Sequence, residues 1–284
     1  MPDWLLDIVH ALPDAAAWRL VLRIFALGAA EEGWQYGVTA LAMLLLLHVV
    51  LRRFLSSRLI AKWPKASDLR REITYSTATV AILAACNVLI VALELTKSVD
   101  VYSRPLEHGV VWLVLSLPAL IIWQDFHFYW THRLLHTRWL FRHVHAVHHR
   151  SRHPSPFAAF SFHPFEALNN SAMLLIALLV VPVNDVVLGL FIVHQVVRST
   201  HGHAAVETMP RGFARHPFWG RFITTTHHHL HHEIPRCNFG LWFTWWDRLC
   251  GTEHATYFER FDEVTHRPSV REDQPAQQLE LGKP

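Results

Sequence analysis

Long apolar runs constrain this chain more than any other feature of its sequence. Residues 34–51 and 73–95 form runs of 18 and 23 residues, close to the roughly 20 that a helix needs to cross a ~30 Å hydrocarbon core. Residues 109–123 form a shorter run that continues into aromatic residues suited to the membrane interface. With 51% hydrophobic and only 17% charged residues, the sequence predicts an all-α integral membrane bundle with three spans.

Other apolar segments are interrupted. Residues 167–197 break at Pro182 into two arms of about 15 residues, too short for two full spans. We predict a partial-depth hairpin whose arms pack on each other and so satisfy the backbone freed at Pro182. Residues 14–30 contain two arginines and could form a poor span or lie in the membrane interface, and we favour the interface. Residues 1–12 are predicted to form a short amphipathic interfacial helix.

The distribution of Lys and Arg predicts the orientation of the spans. Residues 52–72 hold seven of these side chains, whereas residues 96–108 hold two. Because cytoplasmic loops carry the excess of positive charge, the 52–72 loop is predicted to be cytoplasmic. Counting the spans from that loop brings all the histidine-rich segments to the cytoplasmic face. The arginines flank apolar segments, so the net charge of +3 predicts anionic lipid headgroups as neighbours and no nucleic acid partner.

Histidines at helical spacing are the second strong feature. Eighteen of the 23 histidines lie between His127 and His232. If the third span stays helical, one face carries a polar stripe at i, i+4, i+7 and i+11, and two later sets repeat an i, i+3, i+4 spacing. The stripe is Asp125, Tyr129, His132 and His136, and the later sets are His145, His148 and His149, then His228, His231 and His232. This spacing favours metal binding over satisfied core histidines.

The number of histidines predicts more than one metal ion. Structural zinc sites take four ligands, and the eight histidines in the three sets are too many even for one six-coordinate ion, so two ions are predicted. His194 and His201, two helical turns apart, are added as further ligands, whereas His203 would point away if the helix continued past Gly202. Imidazole suits Fe, Cu, Zn and Ni, so the donor type leaves the metal open. A membrane transporter or sensor for zinc or iron is the alternative to an enzyme, although transport sites usually lie near the bilayer midplane.

A resemblance to a known protein family narrows the choice of metal and of function. In order, the chain contains Asp125-x-x-x-Tyr129-x-x-His132-Arg133-x-x-His136, His145-x-x-His148-His149, His163-Pro164, His228-x-x-His231-His232, Asn238-Phe239-Gly240 and Trp246-Asp247-Arg248-x-x-Gly251-Thr252. Over roughly residues 110–255 this succession resembles the fatty acid hydroxylase superfamily, in its sterol desaturase branch. The resemblance implies an integral membrane oxygenase that acts on sterols, fatty acyl chains or other lipids with O₂ as co-substrate. It also implies two iron ions, held by histidines at the cytoplasmic face.

The same resemblance assigns residue roles. It carries the ligand role onto the eight histidines of the three sets and onto one or two more before the third set. There, family members commonly have His-Ser or His-Thr, and this chain has Ser199-Thr200-His201-Gly202-His203. Asp125 and Tyr129 are predicted to support catalysis by orienting the His132 imidazole through its other nitrogen, a helix-end cap being the other interpretation of Asp125.

The redox chemistry needs a partner. The sequence contains no flavin or nicotinamide motif and no haem attachment site, so electrons are expected from a cytosolic donor, a ferredoxin or a cytochrome b5-like protein by resemblance. The histidine motifs do not distinguish hydroxylation from desaturation. Because every ligand must be a neutral imidazole, metal binding is expected to weaken as the pH falls through ~6.5.

These features divide the chain into three parts. Residues 1–107 hold the interfacial helix and two spans, residues 108–258 form the catalytic region, and residues 259–284 form a polar tail predicted to be disordered. In the catalytic region, histidine-rich helices are predicted to form a cap on the cytosolic face of the bundle. The three cysteines have unrelated spacings, so neither a disulfide nor an iron–sulfur site is predicted.

Overall fold

A computed structural model describes residues 15–268 of the chain. Its α-helices are α1 (Ala15–Leu45), α2 (Arg52–Leu55), α3 (Ala66–Leu95), α4 (Gly109–Leu135), α5 (Arg138–Leu140), α6 (Ala146–His149), α7 (Pro164–Val180), α8 (Asp185–Gly202), α9 (Thr225–Glu233), α10 (Trp245–Leu249) and α11 (Tyr257–His266). Two short strands, β1 (Val101–Tyr102) and β2 (Val183–Asn184), complete the regular structure of this range, apart from short 3-10 and π turns. The predicted all-α membrane bundle is confirmed. The interfacial helix predicted at residues 1–12 lies outside the described residues.

Three helices are long and apolar enough to cross a membrane. They are Trp18–Val50, which joins α1 to the π-helical turn Leu46–Val50, and then α3 and α4. The three predicted spans are therefore confirmed as helices of this kind. α1 runs unbroken from residues 15–30, the segment assigned to the interface, into the first span. Within α1, the Glu32 carboxylate accepts a hydrogen bond from Asn87 Nδ2 on α3, at 3.3 Å.

The hairpin at Pro182 is present, as α7 and α8 joined through β2. Its backbone is satisfied differently from the prediction. β2 pairs in parallel with β1, in the loop between α3 and α4, and the Val183 N–H donates to the Asp100 carbonyl at 2.9 Å. The Trp112 indole N–H of α4 donates to the Pro182 carbonyl at 2.8 Å. The neighbouring loop and α4, rather than mutual packing of the two arms, therefore supply the hydrogen bonds that lipid cannot.

The bundle has an apolar end and a histidine end. At the apolar end, α3, α4, α7 and α8 share a core that includes Leu93, Leu120, Met173, Leu178 and Phe191. At the other end, α4 finishes one turn after His132 and α8 finishes just before His203. The short helices α6 and α9 close this end.

α11 corrects the predicted tail. Residues 259–266, assigned to a disordered segment, are helical, and Tyr257, Phe261 and Val264 of this helix are buried. Tyr257 and Phe261 pack with Leu230 of α9, the helix that carries the third histidine set. These apolar residues follow an i, i+4, i+7 period, which is the pattern of a helix that buries one face. Residues 269–284 lie outside the described residues.

Candidate metal centre

Nine histidines form two adjacent groups at the end of the bundle. Group A consists of His132, His136, His145, His149 and His231, and group B consists of His148, His203, His228 and His232. Within each group, one ring nitrogen from every histidine lies within 4.8 Å of all the others. The structure thus brings together all eight histidines of the three predicted sets and adds His203.

Helix geometry splits each i, i+3, i+4 set between the two groups. Positions i and i+4 lie about 40° apart around a helix, whereas i+3 lies about 100° from i+4. The first and last histidines of a set therefore share one group and the middle one joins the other: His148 enters group B and His231 enters group A. The groups adjoin closely, since the rings of His149 and His232 have centroids 5.0 Å apart.

Hydrogen bonds fix the tautomers in group A. The Nδ1 atom of His132 lies 2.8 Å from the Phe239 carbonyl oxygen, and that of His145 lies 2.8 Å from Glu166 Oε1. A carbonyl only accepts, so Nδ1 of His132 carries the hydrogen and its Nε2 presents a lone pair. Burial raises the pKa of Glu166 well above its usual value; when Glu166 is ionised it imposes the same tautomer on His145. These two Nε2 atoms face each other at 3.0 Å. Two lone pairs cannot share a hydrogen bond without a proton, and this separation is roughly that of neighbouring ligands around one ion at ~2.1 Å.

Group B shows the same arrangement with backbone partners. The Nδ1–H of His203 donates to the Ser199 carbonyl at 2.7 Å, and that of His148 to the Ser161 carbonyl at 3.3 Å. Their Nε2 atoms then face each other at 3.3 Å, and the Nε2 of His228 lies 3.0 Å from that of His203. The donor set therefore fits a cation in both groups.

Burial keeps these imidazoles neutral. It lowers the pKa of the grouped histidines that lie outside the spans, and the neighbouring imidazoles lower it further in those at the centre. The pKa lies well below the usual value for His145, His148, His149, His228, His231 and His232. Neutral imidazole is the form that binds metals. The expected loss of affinity as the pH falls through ~6.5 therefore moves to lower pH.

Two predicted ligands lie outside the groups. His194 stacks on Trp242, with ring centroids 4.5 Å apart, and His201 Nε2 lies 2.8 Å from Thr208 Oγ1. In their place His203 faces group B, because α8 ends at Gly202 and the chain turns there. Gly202 is the last helical residue and its φ is not positive, so it does not act as a left-handed C-cap.

Asp125 and Tyr129 do not orient His132 directly, contrary to the prediction. Asp125 accepts hydrogen bonds from the backbone N–H of Trp242 (3.1 Å) and the indole N–H of Trp245 (2.7 Å). The Tyr129 hydroxyl bonds Thr252 Oγ1 at 2.9 Å. Both side chains hold the segment that carries the Phe239 carbonyl. They therefore position His132 indirectly, through that carbonyl. The cap interpretation of Asp125 is also wrong, because the residue lies in the interior of α4.

Asp247 and Glu166 support the histidines and were not identified as site residues from the sequence. Asp247 accepts from the backbone N–H groups of Phe239 and Gly240, both at 2.8 Å. A Cβ at Gly240 would lie 2.7 Å from the Phe243 carbonyl oxygen, so this position requires glycine. The signal was the Asn-Phe-Gly and Trp-Asp-Arg motifs themselves. Glu166 follows His163, which caps α7 through the Phe165 N–H, and its carboxylate points back to His145.

A cavity leads from the membrane helices to both groups. Its walls come from α1, α3, α4, α7 and α8, and its empty volume is about 1330 Å³ with the open mouth included. Apolar side chains such as Phe128, Phe162, Leu174 and Ile192 line it. Histidines of both groups form its floor: His132, His145, His148, His203 and His228. The candidate metal centre is therefore reachable from the interior of the bundle.

Comparison with known proteins agrees with this geometry. Residues 117–252 match the family model described as fatty acid hydroxylase. The chain is 31% identical over 199 residues to lathosterol oxidase of Rattus norvegicus, covering 68% of this chain and 64% of that protein. The chain belongs to the fatty acid hydroxylase family. The predicted resemblance to its sterol desaturase branch is confirmed.

Other members of the fatty acid hydroxylase family are similar over shorter stretches. A Delta(7)-sterol 5(6)-desaturase of Gibberella zeae is 31% identical over 157 residues, covering 54% of this chain and 46% of that protein. A very-long-chain aldehyde decarbonylase of Oryza sativa subsp. indica is 30% identical over 153 residues, covering 53% and 56%. The chain thus spans less than two thirds of the length of these curated relatives. No solved structure matches the chain significantly.

Proposed function

We propose that this member of the fatty acid hydroxylase family is a membrane oxygenase that hydroxylates or desaturates an unactivated C–H position of a lipid. One observation carries the proposal: neutral imidazoles whose lone pairs converge in two groups form the floor of an apolar cavity inside a membrane bundle. Such a site combines a metal-binding donor set with access for a lipid. The names of the relatives, which include sterol desaturases and an aldehyde decarbonylase, favour a lipid substrate.

Two iron ions, one in each group, fit the residues present. Five imidazoles in group A and four in group B leave room for further ligands in an octahedral geometry. Iron is favoured because of the family, since imidazole alone also suits copper, zinc and nickel. When bound, the iron pair would supply O₂ activation and hydrogen removal from the C–H bond.

The protein's own side chains would position the lipid and the ligands. Phe128 and Phe162 line the cavity close to the histidines and exclude water from the reacting carbon. Glu166 holds His145 through Nδ1, and the Phe239 carbonyl holds His132 in the same way. Such partners fix the ring orientation and raise the basicity of the ligand nitrogen.

The electron donor would dock at the cytoplasmic face. The positively charged loop that predicts this face is attached to the histidine end: the Ile60 N–H donates to the Ala205 carbonyl at 2.9 Å, and Arg58 donates to the Met209 carbonyl at 2.6 Å. Ala205 lies two residues after His203, so the loop and the histidine groups share one side of the molecule. A cytosolic ferredoxin or cytochrome b5-like protein would then deliver electrons there.

The test compares the lipids of cells that express the wild-type chain or the His148→Ala variant, with His194→Ala as a matched histidine variant outside the groups. We expect a new lipid in wild-type and His194→Ala cells, and its absence with His148→Ala at equal protein level. A gain of one oxygen identifies hydroxylation, and a loss of two hydrogens identifies desaturation. Unchanged lipids together with zinc or iron flux across vesicles containing the purified protein would instead support a transporter.

A further inference from the structure

Polar atoms without hydrogen-bond partners line the cavity above the histidines. Gln124 is 5% exposed and Thr79 is 2% exposed, yet Gln124 Oε1 and Thr79 Oγ1 are buried without a partner. Gln35 Oε1 is also buried without a hydrogen-bond partner. All three residues line the cavity. A buried polar atom without a partner is unfavourable, and native proteins contain few of them. Several in side chains that line one cavity indicate a ligand that supplies the missing hydrogen bonds when these side chains turn toward it.

These residues form a polar belt, defined as Gln35, Thr79, Asn87 and Gln124 together with Glu32. Gln124 lies eight residues before His132 on α4, which corresponds to about 12 Å along the helix. One turn beyond Gln124, Leu120 belongs to the apolar core that closes the bundle. Asn87 is at a similar level on α3, one turn before Ile90, which packs on the same core. The far part of the belt therefore lies between the apolar end of the cavity and its histidine floor.

The belt is rich in acceptors. Gln124 and Gln35 each present an amide oxygen, and the Glu32 carboxylate accepts from Asn87. Glu31 is exposed and also lines the cavity, so the cavity is open to its surroundings at this point. Acidic and amide side chains inside a membrane bundle usually mark a functional site. A set of acceptors selects a ligand that carries a hydrogen-bond donor.

We propose that the polar belt binds a hydroxyl group at one end of the lipid substrate, with Gln124 as its main acceptor. This proposal rests on the proposed function, because it takes the cavity as the substrate site. A hydroxyl held at Gln124 places a carbon about 12 Å further along the molecule at the histidines. The belt would thus determine both which lipids bind and which carbon reacts.

The experiment measures binding of lipid pairs to iron-loaded protein in nanodiscs without reductant, so no turnover is needed. The pairs are lathosterol and its methyl ether, and hexadecanol and its methyl ether; each ether lacks the O–H donor. For at least one pair, we expect the wild-type protein to bind the alcohol about tenfold more tightly than the ether, the ratio that one hydrogen bond provides. Gln124→Leu should bring that ratio close to one.

The matched control is Asn169→Leu, which removes another membrane-helix amide with an unpartnered Nδ2 atom but does not line the cavity. This variant should keep the tenfold ratio. Iron content serves as the folding check. Gln124→Asn, whose side chain is one methylene shorter, is a milder variant that should lower the ratio of alcohol to ether affinity. Equal binding of alcohol and ether in both pairs by the wild type, or an unchanged ratio in Gln124→Leu, would overturn the proposal. A retained ratio in a protein that oxidises no lipid would contradict the proposed function and leave the belt intact.

Discussion

The two histidine groups differ in what holds their ligands. In group A, His145 is held by the carboxylate of Glu166, and group A has five imidazoles. In group B, His148 and His203 are held by backbone carbonyls, and the group has four. A carboxylate partner makes its imidazole a stronger donor than a carbonyl does. We therefore expect group A to bind its metal more tightly and group B to have more room for exogenous ligands.

The largest expected effect is on metal content, and it distinguishes His203 from His201. His203→Ala removes one of the four histidines of group B, so under the proposed two-iron centre the protein should lose the ion of group B and retain that of group A. His201→Ala removes a hydrogen bond to Thr208 outside both groups and should leave the metal content unchanged, at a cost of about 1 kcal/mol in stability. Metal analysis of the two purified variants measures this. Equal metal content in both variants would mean that His203 is not a ligand.

Acid should affect both groups alike. Their folded-state pKa values are lowered by burial, whereas an unfolded histidine titrates near 6.5. Below pH ~6.5 the unfolded chain therefore binds protons that the folded chain does not. The stability contributed by each such histidine is full above that pH and is lost as the pH falls, by up to about 1.4 kcal/mol per pH unit.

Thermal unfolding of the metal-free protein in detergent between pH 7.5 and 5 tests this prediction, and the unfolding temperature should fall steeply below pH 6.5. The metal-loaded protein should keep its ions at pH 5, because its ligands are still neutral there. An unfolding temperature of the metal-free protein that stays constant across this range would show that the histidines are not buried as described.

The smallest effect sharpens the contrast between the groups. Glu166→Gln replaces the carboxylate that holds His145 by a neutral amide of the same shape. We expect the affinity of group A for its metal to fall about 10- to 100-fold, as is usual for such partners, while group B is unchanged. Competition with a graded series of chelators measures the two affinities separately. A loss confined to group B, or no loss in either group, would contradict the roles assigned here.

The sequence predicted the parts of the site that depend on local periodicity. Helical spacing identified eight of the nine grouped histidines, and apolar length identified the three spans. Helix geometry separates the middle histidine of each set from the other two, but the sequence did not predict which histidines of different sets meet in one group, because that depends on how the segments that carry them pack. His203 was missed because the end of α8 at Gly202 decides its direction.

Two other errors also arose from long-range contacts, and a third from composition. Asp125 was assigned to His132 by its position on α4, but its partners Trp242 and Trp245 are more than 100 residues away. The hydrogen bonds at Pro182 come from β1 and Trp112, which sequence periodicity does not connect to the hairpin. The helical nature of residues 259–266 was present in the i, i+4, i+7 pattern and outweighed there by polar composition.

The most direct test of this account is X-ray absorption spectroscopy combined with metal analysis of the wild-type protein purified with its native metal. We predict two iron ions per chain, each surrounded by imidazole nitrogens at about 2.1 Å. A single zinc ion with four ligands, or iron without nitrogen neighbours, would contradict it.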